Sequence, residues 1–279
     1  ATDISADAVF TNIELVVDLA KDTGTEGISE KDRTDALDAV LKTAKNDNAA
    51  EVLKAAKVVA DEVRKAGGDT VNTAHLANVL KNADKAVELA TVVGKADANT
   101  DLSKVFEHAE KAADLATVVG KAAEGTDLTK VFANADQATE LKTLVEAAGD
   151  NADATVLGGV LQNADKAKSL AKVVEKAKQD AQERVNRGET TAAADITGLL
   201  KQADKADKLE KVVDQLDTLG FEGDQATDIF ANIADVAVLL DEADKSAERA
   251  KEAARAAAEA ANKGEKEIQD AIDAAAAAA

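Results

Sequence analysis

The chain has 279 residues with no Pro, Cys, Met, Trp or Tyr, only five Phe, and a formal net charge of -20 at pH 7. Absent Cys excludes disulfides and thiolate chemistry. The acidic surface disfavours nucleic acid or an anionic membrane as partner, because like charges repel. No stretch approaches the roughly 18 consecutive apolar residues of a membrane span, and no secretory leader is visible.

In chain order, the first element is a weak copy of a motif that dominates the rest, VFTNIELVVDLAKD from Val9. Ser29 with Asp32 three residues on then reads as an acidic variant of a capping box and predicts a helix start. A degenerate copy falls near Val40 and Leu41. The motif becomes explicit as VLKNADKAVELATVVGKA from Val79, VFEHAEKAADLATVVGKA from Val105 and VFANADQATELKTLVEAA from Val131. It returns as VLQNADKAKSLAKVVEKA from Val160 and LLKQADKADKLEKVVDQL from Leu199, and more weakly as IFANIADVAVLLDEAD from Ile229. The bulky anchors Leu80, Phe106, Phe132, Leu161, Leu200 and Phe230 recur at intervals of 26, 26, 29, 39 and 30 residues. A chain built from one repeated helical unit is an array, in which each unit buries its apolar surface against its neighbours.

Each unit reads as helix. Around Phe106, apolar residues fall at Leu102, Val105, Ala109, Ala112, Ala113, Ala116 and Val119, the i, i+3, i+4, i+7 spacing. Thr73, Thr100-Asp101, Thr126-Asp127 and Asp153 are start signals, and Gly125, Gly149 and Gly188 suit stops. A continuous helix of about 20–24 residues is roughly 30–36 Å long. Connectors of about four to seven residues make sequence neighbours antiparallel. Leu115 lies about 180° around the helix from Phe106, so each helix is flanked on two sides.

The expected fold is therefore all-α: an array of antiparallel helices from a diverged 26-39-residue helical repeat, an α-solenoid or an elongated helical bundle, with a long C-terminal helix over 224–263. Residues 1-245 form the helical repeat array, and 246-279 form an Ala-rich C-terminal helical extension. Beyond about residue 243 the apolar surface of the last helix shrinks to Ala, and Arg249, Ala253, Ala256, Ala257 and Ala260 mark a face for close packing on another copy.

A polar slot recurs in the units, filled by Asn82, His108, Asn134, Asn163, Gln202 and Asn232. A side chain there either bridges consecutive helices and sets their register, or stands as a partly exposed polar position beside the Ala seam. Two residues later comes an acid (Asp84, Glu110, Asp136, Asp165, Asp204), often followed by Lys (Lys85, Lys111, Lys166, Lys205). These residues read as a solvated charged face or as a ladder of ion pairs. His75 and His108 are not spaced as a metal pair. The acidic loops with Asp22, Glu26, Glu30 and Asp32, with Asp150 and Asp153, and with Glu222 and Asp224 lack EF-hand spacing. They read as solvated turns, with a weak structural calcium site as the alternative; no other cofactor is expected. The chain has no GxSxG, P-loop or GxGxxG motif.

In composition the chain resembles secreted assembly subunits such as flagellins and surface-layer proteins: acidic, lacking Cys and Trp, and poor in aromatics. The expectation is a non-enzymatic structural subunit, extracellular or at the cell surface, that self-assembles into a filament, sheath or layer. Its partner is then another copy of itself. The alternative is a monomeric helical-repeat scaffold that binds a protein partner.

Overall fold

A computed structural model of the chain describes residues 13–23, 27–43, 49–67, 72–97, 99–149, 153–186, 196–219 and 232–260. Among these residues all regular structure is helical. The chain divides into two compact units, Ala1–Ala171 and Lys172–Ala279. This division follows packing. The sequence boundary at 245/246 follows composition.

The first unit opens with α1 (Ile13–Thr23), α2 (Glu30–Thr43) and α3 (Ala49–Gly67). Ser29 starts α2 with two reciprocal bonds: the Asp32 amide donates to Ser29 Oγ at 3.1 Å, and the Ser29 hydroxyl donates to the Asp32 carboxylate at 2.7 Å. Four copies of the motif follow as helix pairs. They are α4 (Thr73–Lys81) with α5 (Ala86–Val93), α6 (Ser103–Glu107) with α7 (Ala112–Lys121), α8 (Thr129–Ala133) with α9 (Ala138–Ala148), and α10 (Ala154–Gln162) with α11 (Ala167–Asn186). The start signals act through side chains. Asp101, Asp127 and Asp153 accept from the Ser103, Thr129 and Thr155 amides, whereas Thr73 is the first residue of α4 and the residue before it, Asn72, accepts from the His75 amide. Gly149 ends α9 at φ 81°, a backbone conformation that costs glycine little. Gly188 and its expected stop lie outside the described residues.

The continuous helix expected for each unit is broken in two. A 3-10 turn separates the halves: Ala83–Lys85, Ala109–Lys111, Ala135–Gln137 and Ala164–Lys166. The break falls at the polar slot. Asn82, His108, Asn134 and Asn163 leave helical dihedrals for φ between -106° and -119° and ψ between 34° and 41°. The amides of Asn82, Asn134 and Asn163 donate to the carbonyls of Asn78, Lys130 and Gly159, four residues back. The Asn78 and Lys130 carbonyls also accept the backbone amides of Asn82 and Asn134, so there the side-chain amide adds a second local bond to the last turn.

The break also resolves the two-sided apolar pattern. Phe106 and Leu115, on opposite sides of one straight helix, are 1% and 0% exposed. Equivalent places are buried in every copy: Leu80, Phe132 and Leu161 before the turn, Leu89, Leu141 and Leu170 after it. The turn itself contributes buried Ala at 83, 109, 135 and 164. Small residues there let neighbouring backbones approach closely.

Units expected to alternate in direction instead pack with equivalent halves together. First helices meet first helices (α2 on α4, α4 on α6, α6 on α8, α8 on α10), and second helices meet second helices (α3 on α5, α5 on α7, α7 on α9).

The second compact unit begins within α11 and adds α12 (Ile196–Leu200), the 3-10 turn Ala203–Lys205, α13 (Ala206–Leu219) and α14 (Ile233–Ala260). Leu199, Leu200, Ala203, Ala206 and Leu209 repeat the buried pattern. α14 packs on α12 and α13.

Candidate functional site

The joints between copies hold most of the chain's recurring polar chemistry. The bridge expected from the polar slot comes instead from residues on either side of it. Three residues after the slot, Lys85 Nζ donates to the Glu110 carbonyl at 2.5 Å, Lys111 Nζ donates to the Asp136 carbonyl, and Gln137 Nε2 reaches the Asp165 carbonyl at 3.3 Å. The expected ion-pair ladder is thus, at these joints, a ladder of donors onto backbone carbonyls of the next 3-10 turn. Four residues before the slot, Asn78 Nδ2 donates to the carbonyls of Phe106 and Glu107, both at 2.8 Å. Gln137 Oε1 also accepts from the Lys168 amide at 3.0 Å. Sequence reasoning missed Asn78, because it stands one residue before the motif as aligned. The signal for Lys85 and Lys111 was the Lys that follows the acid; Gln137 takes that place after Asp136.

Charge pairs reinforce two joints. Asp114 accepts from Thr139 Oγ1 at 2.8 Å and pairs with Lys142 at 3.1 Å. Burial raises the Asp114 carboxyl, but Thr139 and Lys142 outweigh it and hold the group below its ordinary range. Lys130 pairs with Asp165 at 2.8 Å and lowers its pKa. The next carboxylate in the Asp114 position, Glu140, has a buried Oε2 with no partner.

Both histidines lie at the joint between α4 and α6. The His75 ring tilts 51° to Phe106 at a centroid distance of 6.3 Å, and burial lowers its pKa against the opposing pull of Glu107 and Asp101. His108 Nδ1 lies 3.4 Å from Glu110 Oε1. Gln202 keeps the polar slot in the second unit, with its Oε1 3.5 Å from Lys205 Nζ. Asn232 departs from the pattern: it precedes a helix, and its carbonyl accepts from the Val236 amide at 3.0 Å.

On the predicted assembly face, Arg249 and Ala253 are exposed, and Arg249 Nε donates to the Lys245 carbonyl at 3.2 Å. The side chains of Ala256, Ala257 and Ala260 lie outside the described residues. Of the acidic loops, Asp32 is engaged by Ser29 and Lys81, and Asp153 caps α10. Asp22's side chain, Glu26, Asp150, Glu222 and Asp224 lie outside the described residues. Among the described residues no cluster of three metal-ligating side chains forms, and no helix is long and apolar enough to cross a membrane.

Comparison with known protein families, characterised proteins and solved structures finds no match.

Proposed function

We propose that the chain is a non-enzymatic structural subunit, an α-solenoid-like helical array that self-assembles into a filament, sheath or layer outside the cytoplasm. The observation that carries this reading is on α14, where Val238 and Leu239 are 54% and 69% exposed. Large apolar side chains at that exposure favour removal from water. The same helix continues into the Ala-rich stretch that invites close approach by another helix. A contact between this helix and a different surface of another copy is heterologous, and such contacts build open filaments when the rotation does not close. Weak contacts of this kind hold well when repeated along a polymer.

The test is light scattering and electron microscopy on the full chain, on a chain lacking 246–279, and on Leu239→Glu. The expected result is polymers from the full chain, with both variants helical by circular dichroism and unassembled. If the full chain stays monomeric at every salt and calcium concentration, the second reading takes over: a scaffold for a protein partner. That reading is favoured by Val17 and Val58, 44% and 52% exposed on α1 and α3.

A further inference from the structure

The chain has two histidines, and both stand at one joint, that between α4 and α6. Histidine is the side chain that ordinarily changes charge between about pH 5 and 8, and the chain has no Cys. Other joints are tied by groups that keep their charge over that range. Lys81 pairs with Asp32 between α4 and α2, Lys130 with Asp165 between α8 and the turn after α10, and Lys142 with Asp114 between α9 and α7. A response of the array to pH in the histidine range therefore originates at the α4–α6 joint.

The two rings at this joint differ in what they touch. His108 follows α6, and its Nδ1 lies 3.4 Å from Glu110 Oε1, two residues on in the same copy. Charge on His108 acts within that copy. His75 acts across the joint: it belongs to α4, and its ring rests on Phe106 of α6 at a centroid distance of 6.3 Å. One turn further along α4, Asn78 donates to the carbonyls of Phe106 and Glu107. The ring and the amide thus hold the same end of α6 against α4.

Two features of the place oppose a charged ring at His75. The residue is half-buried, and burial disfavours the charged form. It is also the third residue of α4, in the first turn, where helix amides present partial positive charge. α1, α2 and α3 also pack on α4, but the charges acting on the ring come from α6 and the turn before it. Glu107 and Asp101 favour the imidazolium, and Lys104 opposes it. Glu107 is itself held by Lys104 at 2.7 Å, and Asp101 accepts from the Ser103 amide at 2.9 Å. Burial outweighs the two carboxylates and lowers the His75 pKa.

We propose that the α4–α6 joint is a proton-sensitive joint of the array: proton uptake by His75 loosens α4 from the end of α6 while the other joints hold. A ring that is harder to charge in the closed joint takes up its proton more readily when the joint is open, so acidification shifts the balance towards the open form. The inference is independent of self-assembly.

The test is hydrogen exchange read by mass spectrometry on the full chain at pH 7.5, 6.5 and 5.5, corrected for the intrinsic pH dependence of exchange. Protection of residues 74–82 and 103–108 should fall by about twofold or more relative to α7 and α9 as the pH drops. His75→Phe keeps a ring against Phe106 that cannot charge, and it should abolish the loss. His108→Asn, which restores the residue found in the slot of the neighbouring copies, should leave the loss in place. A loss spread evenly over all joints, no loss, a loss that persists in His75→Phe, or one that disappears in His108→Asn each overturns the proposal. If His75→Phe does not fold, His75→Gln decides in its place.

Discussion

At Asn134 a polar side chain marks where a helix stops. Its amide turns back to the Lys130 carbonyl, its backbone leaves the helical region, and the 3-10 turn Ala135–Gln137 follows. Two residues earlier, Phe132 supplies the bulk that the Ala and Val core lacks, and it is 1% exposed. Phe132→Ala should lose about 3–5 kcal/mol in urea unfolding, the usual range for truncating a large core residue. A loss below about 1 kcal/mol would show that the anchor is not part of the core.

His75 sets a pH dependence at the same scale. Burial lowers its folded pKa, so the unfolded chain takes up the proton first as pH falls. Its contribution is complete above about 6.5, the ordinary histidine value, and is lost as pH drops through that value towards the folded one. The urea midpoint should therefore decline with acidification from about pH 6.5 in the parent. It should decline less in His75→Gln, although Glu107, Asp101 and Lys104 still face the site. A second loss belongs to carboxylates such as Asp114 and Asp165, whose lowered values withdraw stability only below about pH 4.

At the scale of elements, the joints are similar but not identical, and the differences are informative. α7 and α9 are tied by Asp114, Thr139 and Lys142. One unit on, Glu140 takes the Asp114 place, but Ala171 stands where Lys142 stood, and Glu140 Oε2 is left without a partner. Ala171→Lys restores the pattern and should raise the urea midpoint by the equivalent of about 0.2–1 kcal/mol. Combining it with Glu140→Ala should erase the gain; a gain that survives would mean that the new Lys acts elsewhere. Helix starts were legible at this scale, because Asp101, Asp127 and Asp153 signal through local bonds to amides two residues on. The break inside each unit was not. Its sequence, Asn-Ala-Asp-Lys-Ala, carries no Gly or Pro and reads as helix by propensity.

For the molecule as a whole, charge opposes self-association. Two copies at -20 repel each other, and the range of that repulsion falls from about 10 Å at 0.1 M salt to about 3 Å at 1 M. Assembly should therefore increase with sodium chloride over that range, since apolar contacts such as Leu239 are not screened. Assembly that dissolves with added salt would point to an ionic interface and away from α14. Within the first compact unit the same buried places recur from copy to copy, filled by Leu, Val and Ala with only Phe106 and Phe132 as aromatics.

The sequence by itself determined that the chain is helical, that it repeats, and which side chains form the core, because these follow from periodicity and from the cost of leaving apolar surface in water. Phe106, Phe132 and Leu161 were readable in that way and are buried. Only the tertiary structure decided the break at the polar slot, the pairing of equivalent halves, and the roles of Asn78, Lys85 and Lys111. Those three donors depend on carbonyls presented by another segment 25 to 29 residues away, and a donor's partner across that distance is set by packing, not by local spacing.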